Sequence, residues 1–480
     1  MNLSIGTNWD MKLVDLLSDL PGVCEIYGSA SDTSVGNGRP SFILGKISDE
    51  DMPKYIDNVH KKGCKFNYTM NAPCLNNIEY SIEGHRSIIT QLDQLVSIGI
   101  DGITVSIPYL LEIVKNRYPQ LSVKVSVIAQ VNTVKKAKYF ENLGADEIIL
   151  DNMINRDFKL LEEIKRNVNC KLTLLLNDAC IYWCPYRYYH YNLCGHASQT
   201  DHVTQGFYVD YCAIRCTMER LQDPSLLLSS RWIRPEDTKI YEDIGYDNFK
   251  LSGRRMSTNW IFRATSAYSR KEYNGSLSDI IDYSLVGIEE DVRTLEFQTI
   301  VRGATDIQSP NFMKLAQFTP KRPYINNNKL DGFIDYFVDG KCNGICDECN
   351  YCKEFAKKSL EEDEAERKTQ LEFYQQLHND LVTSSMFQKN CNSDDIIWDD
   401  ELKKSFANIM KFAPEPLREI ATTAVLKGIE DNVRKRNDIT VIEEDMVFAF
   451  FEYTPSMYKQ EMLQQLTEHG INLNNYSVEV

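Results

Sequence analysis

Through about residue 255 the chain alternates two kinds of stretch. Short runs are largely apolar, as strands covered on both faces should be. Longer stretches repeat apolar positions every three to four residues, as amphipathic helices do. The candidate strands are residues 23–29, 65–71, 102–107, 124–130, 147–151, 171–178, 229–234 and 248–253. The clearest helices are 51–62, 81–98, 134–143 and 157–167. Gly63, Gly99, Gly144 and Gly245 each follow a helical run, where a left-handed cap favours glycine. The rhythm predicts an α/β protein with a TIM-like (β/α) barrel over residues 1–275.

One connection breaks the rhythm. Between the sixth and seventh candidate strands lie about fifty residues where about 15–20 would suffice. The excess is rich in cysteine, tyrosine and histidine. Loops that follow barrel strands line the catalytic face, so the insertion is expected at the barrel mouth. The polar residues expected around it are Asn67, Tyr68, Asn71, Ser106, Gln130, Asn132, Asn152, Asn177, Asp178, Arg234, Lys250 and Arg254. Residues 276–390 read as a mixed connector with a second cysteine-rich motif and a charged helix over 353–381, and 390–395 as a linker. Residues 391–480 read as a small all-α domain, with helices near 400–412, 415–436 and 443–451.

Composition narrows the chemistry. A net charge of −16 over 480 residues argues against a nucleic-acid substrate, which calls for a basic face. No apolar run reaches the ~20 residues that span a bilayer, and the N-terminus lacks a secretory pattern, so a cytoplasmic protein is expected. Fourteen cysteines in such a chain point to metal or redox chemistry rather than disulfides.

Cys180-x3-Cys184 and Cys212-x3-Cys216 bracket the insertion, and four thiolates can hold a four-iron cluster or a zinc ion. Cys194, between the pairs, is an alternative fourth ligand. The alternative for all of them is burial as small apolar side chains. Cys342-x3-Cys346-x2-Cys349-x2-Cys352 packs four thiols into eleven residues, a ferredoxin-like spacing that favours a second [4Fe–4S] cluster over zinc. Its first three cysteines also resemble the radical S-adenosylmethionine signature. Against that reading, the motif follows the barrel, and Cys352 would cap the iron that must stay open. His190, His196 and His202 are candidate acid–base groups, ligands or plain loop residues. Tyr182, Trp183, Tyr186, Tyr188, Tyr189 and Tyr191 either wall a substrate pocket or pack the loop. His190, Asp178 and Arg254 are the catalytic candidates. Arg234, Lys250, Gln130, Asn71 and Tyr182 are candidates for holding substrate, the two cations through an anionic group.

Three blocks, each quoted as it stands here, resemble the U32 peptidase family. The first is Cys212-x3-Cys216 with the segment Trp232 to Gly245. The second is Asn248-Phe-Lys-Leu-Ser-Gly-Arg254-Arg-Met-Ser257. The third is Ser126-Val-Ile-Ala-Gln130-Val-Asn132 with Leu143-Gly144 and the run from Ile148 to Asp151. Asn152-Met153 stands where that family usually has Arg-Glu. The resemblance implies a TIM-like barrel with a [4Fe–4S] cluster on four cysteines. Cys212 and Cys216 match the downstream ligands, and Cys180 and Cys184 fall where the upstream ones lie. It also implies oxygen-independent hydroxylation, in ubiquinone synthesis or on an RNA base, with prephenate as oxygen donor in some members. No Ser/His/Asp grouping or zinc-protease helix supports peptidase chemistry in the sequence. The stretch Phe412 to Arg418, with Gly428-Ile-Glu430 and Asp438 to Val441, resembles the small helical domain that ends a subunit of light-independent protochlorophyllide reductase.

These readings converge on an iron–sulfur oxidoreductase, a hydroxylase of a small organic substrate with two [4Fe–4S] clusters and a ferredoxin-like electron donor. The C-terminal domain would dock a partner protein. The alternatives are a non-catalytic iron–sulfur assembly subunit, a radical enzyme and an RNA-modifying hydroxylase.

Overall fold

A computed structural model describes residues 1–31, 33–200, 210–283, 322–383, 396–413, 418–436, 438–454 and 458–476. The chain folds as two units. One takes residues 1–305 and 309–385, and the other takes 386–480 with 306–308.

The first unit is built on eight parallel strands closed into a barrel in chain order. They are β1 Asn2–Gly6, β2 Val23–Gly28, β3 Lys65–Met70, β4 Gly102–Val105, β5 Ser122–Val125, β6 Glu147–Ile149, β7 Lys171–Leu175 and β8 Asn248–Leu251. The helices after β1 to β6 are α1 Met11–Ser18, α2 Asp51–Lys61, α3 Ile82–Ser97, α4 Pro108–Arg117, α5 Val134–Asn142 and α6 Phe158–Asn167. Between β7 and β8 lie α7 Arg187–His196, α8 Tyr211–Gln222, α9 Leu226–Ser229 and α10 Thr238–Asp243. Helix α11 Thr258–Arg270 follows β8 and packs on α1 and β1. Side-chain oxygens cap the helix starts: Asp10, Ser81, Thr133, Asp157 and Ser257 accept from backbone N–H groups of the first turn. Gly63, Gly99, Gly144 and Gly245 all take positive φ, as expected of caps.

Two strands differ from the sequence reading. The chain opens with a strand, β1, whose Asn2 and Ser4 interrupt the apolar run. Ser4 faces inward, where its hydroxyl donates to Glu25 at 2.6 Å. Residues 229–234 are the end of α9 and a buried extended segment outside the ladder. Only Ile233 reaches back, its N–H donating to Leu176 O at 2.7 Å. Arg231, Trp232, Ile233 and Arg234 are all buried, so burial without pairing produced the strand-like pattern.

The entry end of the barrel is closed by charge. Lys124 Nζ lies 2.8 Å from Glu25 and 2.7 Å from Glu147, and Thr173 donates to Glu147 at 2.6 Å. All three charged side chains are nearly sealed from water.

After α11, strands β9 Tyr324–Ile325 and β10 Leu360–Glu361 pair antiparallel. Between them run α12 Asp335–Val338, α13 Cys346–Cys349 and α14 Tyr351–Ser359, and α15 Glu364–Val382 then packs along α8. The charged run expected as one helix over 353–381 is therefore two, broken at β10. The second unit holds α16 Asp400–Ile409, α17 Arg418–Lys435, α18 Glu443–Tyr453 and α19 Lys459–Glu468. Its core includes Phe406, Ile429, Val433, Met446, Phe450 and Leu466. The fourth helix was absent from the sequence reading, and the expected linker at 390–395 lies outside the described residues. Among the described residues no helix is long and apolar enough to cross a membrane.

Removing one member of the Lys124 lattice strands two buried carboxylates. Lys124→Met should cost about 3–5 kcal/mol in urea denaturation, and adding Glu25→Leu and Glu147→Leu should recover most of it. A loss below about 1 kcal/mol for the single variant would contradict this role.

Candidate functional site at the barrel mouth

The insertion between β7 and β8 is fastened over the mouth from two sides. At its start, Ala179 N–H donates to Asp282 O and Asp282 N–H to Asn177 O. The Asn177 side chain is fully used, donating to Ser252 O and Ile280 O and accepting from Ser252 N–H. Past α7 the chain clips to the loop after β2: Ser198 Oγ accepts from Asn37 N–H at 2.7 Å, and Thr33 bridges to Gln199. Helix α7 is thereby laid across the opening.

A cavity of about 60 Å³ results. Cys180, Cys184, Cys212 and Cys216 all line it, with Asp178, Arg187, His190, Tyr191, Arg220 and Arg39 among its other walls. Cys212, Cys216 and Arg220 stand four residues apart on α8, so they share one helical face. Arg220 Nη1 reaches Cys216 Sγ at 3.7 Å, and its other terminal nitrogen donates to Ala179 O. Burial pushes the thiols of Cys180 and Cys212 up to about 12, so the bare side chains carry their protons. Binding an electrophilic metal displaces those protons. Among the described residues no three His, Cys, Asp or Glu side chains converge on one point as a single ion requires. The four thiols line one cavity instead.

Asp178 accepts from Asn152 Nδ2 at 2.8 Å, and Asn152 Oδ1 accepts from Arg187, which pairs with buried Asp151 at 2.9 Å. Burial raises the Asp178 carboxyl, and neighbouring Asp282 raises it further. Burial alone would raise Asp282 too, but Arg255 and Arg39 outweigh it and hold that carboxyl low. His190 Nε2 lies 3.1 Å from Asp210. Burial would lower the imidazole, but Asp210 and Cys194, the latter also a hydrogen-bond partner, raise it well above the ordinary histidine value.

The remaining candidates spread over different depths. Arg254 lies inside the barrel, donating among the described residues to the neutral oxygens of Ser29 (2.6 Å), Thr69 (3.0 Å) and Asn37 (3.2 Å). Arg234 lies away from the mouth, paired with Glu236 and with Asp331 at 2.8 Å. Lys250 sits below the mouth with Nζ 3.6 Å from the Tyr27 ring centre. Asn71 is used as a clamp, donating to Ser126 and accepting from Gly38 N–H. Gln130 ends a single helical turn at φ 51° and its carbonyl accepts from Lys136. Tyr186 and Tyr191 face the cavity, whereas Trp183, Tyr188 and Tyr189 are largely exposed. His202 and Cys391 lie outside the described residues.

Tyr182 has a different neighbour. The Arg231 guanidinium stacks 3.7 Å from its ring centre and donates to Cys342 Sγ at 3.6 Å. Cys342 belongs to the second cysteine motif, so both motifs share one edge of the fold. Cys352 is partly buried against the barrel core and Cys346 is exposed. Arg39, Asp282, Asp210, Arg187, Arg220 and Arg231 were not singled out from the sequence. Their motif-free positions gave no signal; only the fold brings them to the thiols.

The class is now defined: a (β/α)8 barrel whose widened seventh connection gathers thiols at the mouth. Residues 35–276 match Peptidase family U32. The uncharacterized protease MJ1657 of Methanocaldococcus jannaschii is 34% identical over 326 residues, 68% of this chain and 86% of the relative. The solved U32 peptidase Mk0906 is 23% identical, with a TM-score of 0.41, over 53% of this chain and 93% of that one. The chain belongs to family U32.

Burial drives the Lys250 amine down to about 7, against an ordinary 10.5. Below the folded value both states hold the proton, and the buried charge costs stability. Above it the folded state has released the proton first, so stability rises with pH until the unfolded lysine titrates. The stability difference between Lys250→Met and wild type should therefore fall by at least about 1 kcal/mol as pH rises from about 6 to about 9 in urea melts. A flat difference would contradict a depressed amine.

Proposed function

We propose that this chain is an iron–sulfur oxidoreductase of the oxygen-independent hydroxylase kind, acting on a small organic molecule. The single observation that carries the reading is the lining of one cavity by Cys180, Cys184, Cys212 and Cys216. Four thiols set around a space suit a cluster of several atoms better than one tetrahedral ion. A [4Fe–4S] group there would supply reversible one-electron storage. Arg220 would donate to the Cys216 sulfur, a contact of the kind that tunes such groups.

The chain's own residues would do the rest. Arg254 has no carboxylate partner among the described residues, so it supports binding of an anionic group of substrate or oxygen donor. Arg234 is taken by two carboxylates and Asn71 by a clamp, which leaves them structural roles. Asp178, oriented by Asn152, and His190, oriented by Asp210, are the groups placed to move protons at the cavity wall. A second cavity of about 370 Å³ shares Arg220 and Tyr283 with the first and gives a small organic substrate room beside the thiols. The second motif, Cys342 to Cys352, would hold the other [4Fe–4S] cluster and meet a ferredoxin-like protein. The helical C-terminal unit is the proposed docking module for a partner. The net charge of −16 favours this over RNA modification.

One observation favours a second reading. His190 lies between Asp210 and Cys194, an order of groups that can activate a thiol for peptide cleavage. Cys194 is buried and does not line the cavity, which weighs against it.

Protein prepared without oxygen should carry about eight irons and eight sulfides per chain. Cys212→Ser or Cys216→Ser should remove about half, and Cys194→Ala should leave both the iron and any turnover intact. Zinc in place of iron would end the proposal. Casein cleavage lost in Cys194→Ala would install the peptidase reading instead.

A further inference from the structure

The surroundings of the second cysteine motif hold an imbalance of charge. Arg156 and Arg231 are both buried, at 4% and 3% exposure, and neither has a carboxylate partner among the described residues. Arg156 donates to Leu228 O at 2.7 Å and Trp232 O at 2.9 Å, and its guanidinium packs over the rings of Trp232, Phe333 and Phe337. Arg231 donates to Cys342 Sγ and stacks on Tyr182 and Phe337, while its Nη1 finds no hydrogen-bond partner among the described residues. Both guanidinium groups act electrostatically on Cys352, and each raises the cost of burying the other. Two unpaired buried cations of one sign are expensive unless an anion meets them.

The carboxyl of Asp237 acts on Arg156 and on Arg234, and with no hydrogen bond to Arg156 among the described residues it offsets at most one of the two buried charges. The side-chain groups against Arg231 are the Cys342 sulfur and the rings of Tyr182 and Phe337, and among the described residues no paired carboxylate cancels its charge. A cubane on four thiolates does, with a net charge of about minus two against two guanidinium groups. The geometry continues beyond the motif. Tyr182 lies in the loop between Cys180 and Cys184, so one guanidinium and one ring, in contact, span from Cys342 to the barrel-mouth thiols. Cys346 is exposed, as is Ile345.

We propose that Arg156 and Arg231 are the counter-charges of an anionic iron–sulfur cluster on Cys342, Cys346, Cys349 and Cys352. Arg231, stacked on Tyr182, is then the contact through which that cluster exchanges electrons with the barrel mouth. The inference rests on the iron–sulfur reading above. One electron moves per event: an external iron–sulfur protein is oxidised at the exposed Cys346 side, the surface site is reduced and then reoxidised, and the barrel site is reduced. No bond breaks and no proton is required. Arg231 and Arg156 act through the sulfurs, as positioning residues.

The test is an electron paramagnetic resonance redox titration of the full chain, with iron and zinc counted in the same samples. Arg231→Gln and Arg156→Gln should each lower the midpoint of one cluster while leaving the other in place. The expected effect is about a tenfold shift in the reduction equilibrium, or ~59 mV for one electron. Arg231→Lys keeps the charge and should return the midpoint most of the way. In wild type reduced at both sites, the two signals should broaden each other. Loss of about half the iron in Arg231→Gln, restored in Arg231→Lys, supports the same role more strongly. Unchanged midpoints in both Gln variants at full iron content would overturn the inference and leave the iron–sulfur reading standing. Iron loss shared by Arg231→Gln and Arg231→Lys would overturn it as well, since packing then explains the residue. Zinc at this motif with iron at the barrel mouth would overturn the inference, and absence of iron from wild type would end the functional reading itself.

Discussion

Buried positive charge is the constraint on which the rest of this molecule depends. Lys124 is met by Glu25 and Glu147 at the closed end of the barrel, and Arg187 by Asp151 near the open end. Arg220, Arg231, Arg156 and Arg254 have no such carboxylate among the described residues. The first three sit beside thiols or act on them electrostatically, and the fourth points among neutral oxygens below the mouth. A desolvated cation without an anion is a large cost for a fold whose net stability is small. Thiolate-bound clusters at two places and an anionic ligand at a third would close that balance.

The barrel supplies what such chemistry needs by ordinary means. Eight short strands, most of them followed by a helix packed behind, hold their C-terminal ends at one rim. The seventh connection is free to grow because it lies outside the closed hydrogen-bond ladder. Its first part is tied down at two points, by Asn177 and Asp282 at the start and by Ser198 and Asn37 just past α7. Helix α7 between these ties and α8 after them bring a histidine, two arginines and two thiols to one cavity. Sites on helices are placed more accurately than sites on free loops.

Much of this was legible in the residues. Apolar runs with glycine caps gave the barrel, and cysteine spacing marked the thiols that share a cavity. Residues 229–234 mark where periodicity fails. They are buried because the insertion covers them, and an apolar pattern does not separate that from a strand. Exposed Asn2 and inward Ser4 hid β1: the first shortens the apolar run, and the second is a polar side chain that the interior tolerates because it finds a partner there. Arg234 and Arg254 look alike in sequence, two cations near strand ends. Only coordinates tell that one is paired twice and the other meets neutral oxygens. Arg231 carried no motif at all, and its importance comes from Tyr182 and Cys342, distant along the chain and adjacent in space.

The most direct test is anomalous diffraction at the iron absorption edge, on crystals grown from protein kept free of oxygen. One compact peak is predicted inside the cavity bounded by Cys180, Cys184, Cys212 and Cys216, with those four sulfurs turned toward it. A cavity without iron, or iron held by Cys194 and Asp210 in place of two of the four, would contradict that arrangement.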